Sequence, residues 1–278
     1  MENCFFHPLD DDGRFEATDA CTGPWSPTTM HGGPPSALLV RACERAGGAA
    51  TDGAAEGLVA LRAGIDFLAP VPVGPVTVRA RVVRPGRRIT LAAATLSADG
   101  RDVLHARTWL VRMPGAPGTG EARPPEVGTG EPTVTGPLEC PESMTGWDFG
   151  YARAVEWRLL SGDPNGPGPA AVWGRPRIPL IDGETPSGLQ RAVLVADSGN
   201  GVSAALDWSR WSFVNVDLAV HLSRPVTGEW VLLDARTRVE STGTGLATSV
   251  LRDQAGVVGE GAQTLVITPR SADTGARS

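Results

Sequence analysis

The sequence predicts an α+β fold of two similar halves, each a long antiparallel sheet wrapped around one helix. Residues 31–46 match residues 183–198, and residues 61–82 match residues 216–237 in the same order. A repeat of this length indicates a duplicated domain rather than a solenoid of short units. In both halves an apolar helical stretch precedes several strand-like stretches, which is the element order of an α+β fold.

The first half begins with an extended segment in residues 14–30. A helix is predicted over residues 36–46, because apolar residues recur there at helical spacing. The prolines just before it suit a first helical turn. The preceding Gly32-Gly33 allows a close approach to backbone amides. Strands are predicted where Val, Ala, Thr and Leu are abundant and partly alternate with polar residues, at residues 59–69, 75–84, 88–98 and 102–112.

The second half repeats this order. It has an extended segment near residues 153–160, a helix over residues 186–196, and strands near residues 212–224, 229–240, 244–252 and 256–267. Residues 114–137 are rich in Pro, Gly and Thr and have no apolar periodicity, so they read as a linker. We therefore predict an N-terminal domain at residues 1–113, a C-terminal domain at residues 138–270 and a disordered tail at residues 271–278.

Composition excludes several classes of function. All 25 basic residues are arginine, which rules out a lysine nucleophile or Schiff base supplied by this chain. The net charge of −6 and the absence of a basic cluster argue against a nucleic-acid partner. The four cysteines show no CxxC spacing, so neither a zinc site nor a disulfide framework is expected. Without a signal peptide or a run of about 20 apolar residues, we expect a cytoplasmic protein without a membrane partner.

Four segments resemble the double-hotdog acyl-CoA thioesterases, the TesB-like family. They are MHGGPPSALLVRACE, LVADSGNG, VNVDLAVHLSRPVTGEWVLLDART and GEGAQTLVI. The resemblance covers nearly the whole chain outside the linker and implies a tandem hotdog fold. It also implies hydrolysis of an acyl thioester of coenzyme A or of an acyl carrier protein, at a site where two hotdogs meet. No metal or redox cofactor is implied, and a homo-oligomer is consistent with it.

In that family an Asp, a hydroxyl residue and a Gln of the second hotdog orient the attacking water. The resemblance carries these roles to Asp197 at the end of the second helix, to Asn215, and to Gln263 in the last strand. Asn215 departs from the family pattern, although an amide can both accept and donate a hydrogen bond. Thioester hydrolysis also needs donors for the developing oxyanion. His31, Gly32 and Gly33 at one helix start are candidates to bind substrate, as are residues 183–188 at the other.

The repeat provides an internal control for these assignments. The first-half counterparts are Ala46 for Asp197, Ala60 for Asn215 and Arg107 for Gln263, so the first half lacks all three groups. This asymmetry favours a functional role for the second-half residues. An Asp after an apolar helix is otherwise often a solvated helix end or part of a turn.

Two questions of smaller scope stay open at this stage. His31 could contact substrate, or it could cap its helix and pack beside Trp25. The pairs Trp208 with Trp211 and Trp157 with Trp173 could line an acyl pocket, although tryptophans are commonly buried in any core.

Two other functional classes also stay open. A dehydratase or cyclase acting on thioester-bound intermediates would use Asp197 to take a proton from carbon. A non-catalytic acyl-binding protein would retain the pocket without hydrolysis.

Overall fold

A computed structural model describes residues 2–49, 57–113, 133–141, 146–163 and 165–270. The helices are α1 (Gly33–Ala49), α2 (Gly150–Ala154), α3 (Gly188–Ala196) and α4 (Gly199–Val202). The strands of the first half are β1 (Phe6–Pro8), β2 (Arg14–Ala17), β3 (Leu58–Phe67), β4 (Pro75–Arg84), β5 (Ile89–Ala98) and β6 (Arg101–Arg112). Those of the second half are β7 (Val155–Ser161), β8 (Ala170–Pro176), β9 (Trp211–Asn215), β10 (Asp217–Leu222), β11 (Val231–Glu240), β12 (Thr244–Asp253) and β13 (Gly256–Pro269).

The strands form one continuous sheet, with the order β1-β2-β4-β5-β6-β3-β10-β13-β12-β11-β8-β7 and with β9 beside β13. The two halves join edge to edge where β3 pairs antiparallel with β10, for example at Gly64 and Ala219. Helix α1 packs on β3 to β6, and α3 packs on strands of the second half and on β3. The predicted tandem hotdog, each half with a sheet wrapped around one helix, is confirmed.

Two strands differ from their predictions for identifiable reasons. Strand β8 was missed because its seven residues are mostly buried on both faces and therefore show no alternation. The strand predicted at 212–224 is divided at Val216 into β9 and β10. Strand β3 has a bulge at the matching position, between Ala60 and Arg62. A bulge re-aims the side chains beside it, and here the irregularity follows Asn215 directly.

The pairing register corrects one counterpart in the internal repeat. Ala92 of β5 pairs with Thr108 of β6, and Ala247 of β12 pairs with Gln263 of β13. Because β5 corresponds to β12 and β6 to β13, the first-half counterpart of Gln263 is Thr108. The expected Arg107 is wrong by one residue, which in a strand means the opposite face. Thr108 is fully buried, as Gln263 nearly is, whereas Arg107 is exposed.

Helices α1 and α3 lie against each other, with the first turn of α1 at the last turn of α3. A Cβ on Gly33 would lie only 2.4 Å from the carbonyl oxygen of Leu194, so only glycine allows this approach. At the other end of the pair, Glu44 of α1 accepts hydrogen bonds from Ser187 Oγ at 2.7 Å and Gln190 Nε2 at 2.5 Å. Burial raises the pKa of Glu44, and these two donors oppose that increase.

The N-terminal segment pairs with the second half of the chain rather than only with its own half. Phe5 N–H donates to the Pro179 carbonyl at 3.1 Å, and Phe6 N–H donates to the Leu180 carbonyl at 3.0 Å. The Phe5 and Phe6 side chains are fully buried. The predicted tail and residues 114–132 of the predicted linker lie outside the described residues, and the proposed domain limits stay a prediction.

Asp253 at the end of β12 fixes the loop that leads into β11. Burial opposes its ionisation, but hydrogen bonds from Arg224 and Thr227 outweigh burial and lower the pKa of Asp253 to about 2. Both Arg224 bonds to the carboxylate measure 2.6 Å. A depressed pKa means that the folded state favours the ionised form, so this stabilisation is present above pH 4 and is lost as pH falls towards 2.

We expect Asp253→Asn to lower the free energy of unfolding at pH 7 by about 2 kcal/mol, in proportion to the pKa shift. The difference from wild type should shrink as the pH is lowered from about 4 to 2. Urea unfolding monitored by circular dichroism at several pH values measures both effects. Asp234→Asn, at an exposed position of β11, is the control. An Asp253→Asn deficit of equal size at pH 7 and pH 2 would contradict the assignment.

Candidate active site

Asp197 lies where the two halves meet, immediately after the last residue of α3. It is the C-terminal cap of that helix, with φ −64° and ψ −15°, and its side chain is only 4% exposed. The start of α1 and the end of β9 lie beside it. The site therefore draws on both halves, as the resemblance implied.

Polar side chains from three segments surround the carboxylate of Asp197. Asn215 Nδ2 donates to Oδ1 at 2.9 Å, and Gln263 Nε2 lies 3.4 Å from the same oxygen. His31 Nδ1 lies 3.1 Å from Oδ2. The structure thus brings together Asp197, Asn215, Gln263 and His31, four residues that the sequence placed far apart.

Gln263 forms hydrogen bonds with the backbone of Asp197 and of Asn200, three residues later. Its Nε2 donates to the Asp197 carbonyl at 3.0 Å, and its Oε1 accepts from Asn200 N–H at 3.0 Å. The side chain is 2% exposed and does not line the cavity described below. Gln263 therefore fixes the connection between α3 and α4, and with it the direction of the Asp197 side chain.

The imidazole of His31 is enclosed between aromatic and polar neighbours. Its ring stacks on Tyr151 with centroids 3.8 Å apart, and its Nδ1 accepts a hydrogen bond from Gly33 N–H at 3.1 Å. Burial lowers the pKa of His31, and the charge of Asp197 opposes that decrease. The imidazole is therefore neutral at physiological pH. The bond from Gly33 assigns the ring proton to Nε2.

Gly32 and Gly33 form the start of α1 against Asp197. A Cβ on Gly32 would lie 2.7 Å from Asp197 Oδ2 and 2.6 Å from Phe67 Cε1, so only glycine allows the carboxylate and the Phe67 ring to approach the start of α1 this closely. Pro34 and Pro35 have no N–H, and the Gly33 N–H is bonded to His31. In the described part of the chain, Gly32 N–H has no hydrogen-bond acceptor. It is a free donor at the positive end of a 17-residue helix.

Tyr151 is a site residue that the sequence did not indicate. Its hydroxyl donates to the Leu194 carbonyl at 2.8 Å and lies 3.0 Å from Ser198 Oγ, while its ring supports His31. Burial raises its pKa, so the phenol is not an acid–base group at neutral pH. Tyr151 lies in a short helix that follows the linker, without any periodic pattern to mark it.

A large open cavity of about 1340 Å³ adjoins these residues and includes His31, Gly32, Asp197 and Asn215 in its lining. Of the tryptophans considered above, Trp208 lines the cavity, whereas Trp157, Trp173 and Trp211 do not. Within the described ranges, no group of three His, Cys, Asp or Glu side chains is arranged to hold a metal ion. No helix in those ranges is long and apolar enough to cross a bilayer.

The sequence matches models of both domains of one family of enzymes. The acyl-CoA thioesterase N-terminal domain matches residues 21–111, and the acyl-CoA thioesterase C-terminal domain matches residues 132–267. The chain belongs to the acyl-CoA thioesterase family. This thioesterase is therefore a hydrolase of acyl thioesters. No protein with a curated description matches it.

Solved structures share the fold of this thioesterase at low sequence identity. A proposed thioesterase of Novosphingobium aromaticivorans is 22% identical, with a TM-score of 0.68 and coverage of 94% of this chain and 98% of the other. A hotdog-fold protein of Alicyclobacillus acidocaldarius is 17% identical, with a TM-score of 0.70 and coverage of 94% and 96%. The tesB protein of Mycobacterium avium subspecies paratuberculosis is 18% identical, with a TM-score of 0.60 and coverage of 95% and 96%.

We expect Gly32→Ala to abolish most thioester hydrolysis while leaving the fold intact. The new methyl group would meet only movable side-chain ends, the Asp197 carboxylate and the Phe67 ring. The variant should therefore fold but displace the carboxylate. Thiol release and thermal unfolding measure the two effects. Gly136→Ala is the control, because its Cβ would meet only Glu139 at 3.7 Å. Wild-type turnover in Gly32→Ala would show that hydrolysis does not depend on the position of Oδ2.

Proposed function

We propose that this thioesterase hydrolyses acyl-CoA with a water molecule activated by Asp197. One observation carries the proposal: a buried carboxylate held by two amides lines the cavity, next to a free N–H at a helix start. The carboxylate is an acceptor for the proton of water, and the N–H is a donor for an oxyanion. General-base hydrolysis of a thioester requires the proton acceptor and the oxyanion donor to lie near the same thioester carbonyl group.

In the proposed first step, water enters from the cavity and contacts Asp197 Oδ2. Oδ1 is occupied by Asn215 and Gln263, which leaves Oδ2 as the basic atom. The water oxygen bonds to the thioester carbon, its proton passes to Oδ2, and the carbonyl electron pair moves to oxygen. Gly32 N–H and the positive end of α1 stabilise the resulting oxyanion.

In the second step, the tetrahedral intermediate collapses and the bond between carbon and sulfur breaks. The proton on Asp197 passes to the departing sulfur, giving the free acid and the thiol. His31 lies against this oxygen, with Nδ1 3.1 Å from Oδ2, and acts as a positioning residue because the Nδ1 lone pair already accepts from Gly33 N–H. Asn215 orients the carboxylate and is half-buried at the cavity wall, where its amide also reaches water. Gln263 acts as a positioning residue.

Family membership indicates that the substrate is an acyl thioester, and the group that carries the acyl chain is a separate question. Coenzyme A and acyl carrier proteins present the same pantetheine thioester, so both would reach Asp197 by the same route. We propose coenzyme A as the carrier, because the family models that match this chain describe acyl-CoA thioesterases. Comparison of acyl-CoA with the same acyl group on a carrier protein, by kcat/KM, distinguishes the two.

We expect Asp197→Asn to lower kcat for acyl-CoA hydrolysis by about 10²–10⁴-fold, the usual contribution of a general base. The amide keeps the volume of the carboxylate but cannot accept the proton. Release of free thiol measured with a chromogenic disulfide provides the rate. Asp234→Asn is again the exposed control. Hydrolysis unchanged in Asp197→Asn, with normal circular dichroism, would refute the proposed base.

The role of Asn215 is tested by a pair of substitutions. We expect Asn215→Thr to retain hydrolysis within about tenfold, because a hydroxyl also donates to Asp197 and contacts water. Asn215→Ala should lose about 10-fold to 100-fold in kcat, because the carboxylate loses its 2.9 Å donor. Parallel thiol-release assays at saturating substrate give the comparison. If the Thr and Ala variants were equally active, the side chain would have no part in orienting the base or the water.

A further inference from the structure

One wall of the cavity is built mainly from aromatic rings. We call it the aromatic wall; its members are Trp25, Phe67, Trp147, Phe149 and Trp208. The chain has only eight tryptophans, six phenylalanines and one tyrosine, so a third of its aromatic side chains face this one cavity. All five are half-buried. Their apolar surface is therefore partly open towards the cavity rather than enclosed in the core.

Four of the five rings of the wall form a chain that begins beside the proposed site, at His31. Phe149 stacks with His31 at a centroid distance of 6.5 Å, and Trp147 stacks with Phe149 at 5.9 Å. Trp208 meets the edge of Trp147 at 6.4 Å and stacks with Trp25 at 4.9 Å. A group attached to a carbonyl beside Asp197 therefore has a continuous aromatic surface leading away from the reaction centre.

The wall is fixed in position relative to Asp197. Gly201 of α4 lies one helical turn beyond Asp197, and a Cβ there would be 3.3 Å from Trp147 Cη2 and 3.6 Å from Trp208 Cζ2. The indoles therefore pack directly on the helix that follows the proposed base. Tryptophan has only two side-chain torsions, so such a wall does not reshape itself around a ligand as aliphatic side chains or Met do.

We propose that this thioesterase prefers substrates whose acyl group carries an aromatic ring, held against the aromatic wall. This inference rests on the proposed thioester hydrolysis at Asp197. A linear alkyl chain gains stabilisation from the wall only by buried area. A planar ring gains the same area and also the edge-to-face or offset-stacked contact that aromatic pairs favour. Rigid flat walls also match a flat ring better than a flexible chain.

The experiment compares three substrates that have the same number of acyl carbons and the same unconjugated thioester. They are the coenzyme A esters of 3-phenylpropanoic, 3-cyclohexylpropanoic and nonanoic acids. We expect kcat/KM for the phenyl ester to exceed that for the cyclohexyl ester by about fivefold to tenfold, the usual effect of one aromatic contact. Trp147→Leu and, independently, Trp208→Leu should reduce this ratio towards one. Trp109→Leu, outside the cavity lining, should preserve it.

Binding to Asp197→Asn, measured by titration calorimetry with the same three esters, separates this inference from the proposed function. Tighter binding of the phenyl ester, lost in the Trp147→Leu background, supports the aromatic wall even if wild type hydrolyses nothing. That absence of hydrolysis would refute the proposed function alone. Equal affinities and equal kcat/KM for the phenyl and cyclohexyl esters would overturn the aromatic preference while leaving hydrolysis intact.

Discussion

The site depends on the contact between the first turn of α1 and the last turn of α3. Because Gly33 has no side chain, the amide end of one helix reaches the carbonyl end of the other. This favourable pairing of helix dipoles brings His31 and Gly32 from one half to Asp197 from the other. Tyr151 reinforces the same contact, because it binds the Leu194 carbonyl while its ring supports His31. Separation of the two helices would disassemble the site without breaking either half.

The opposite ends of the same two helices explain why a duplicated fold has a single candidate site among the residues described. There the start of α3 meets α1, and the carboxylate of Glu44 occupies the position facing the helix start. Its oxygens accept hydrogen bonds from Ser187 and Gln190, so both oxygens of the carboxylate serve the contact between the helices. Gly188 lies where a Cβ would be 2.9 Å from the backbone of Val226, which leaves no space for a substrate. The end of the helix pair at Asp197 adjoins the cavity, whereas the end at Glu44 is closed by hydrogen bonds between the helices.

Sequence alone was sufficient for two similar halves with long strands around a helix, because apolar alternation and the internal repeat both report burial, whereas the tandem hotdog followed from the family resemblance. The resemblance also singled out Asp197, Asn215 and Gln263, and the predicted helix start singled out His31; the structure brings these four residues together. Alternation does not reveal strand irregularities, so the break at Val216 was not foreseen and Thr108 was mistaken for its neighbour. Tyr151 and Phe149 were missed for a different reason. Their segment is short and has no periodic pattern. Only the tertiary structure brings these two rings against His31.

The pairing of Phe5 and Phe6 with residues 179–181 has a consequence for synthesis of the protein. The first strand of the chain cannot complete its hydrogen bonds until the segment before α3 has left the ribosome. Until then the edge of β3 that later meets β10 is also unpaired, and exposed strand edges favour association between chains. The first half therefore reaches its native pairing late in synthesis, together with the part of the chain that also supplies Asp197.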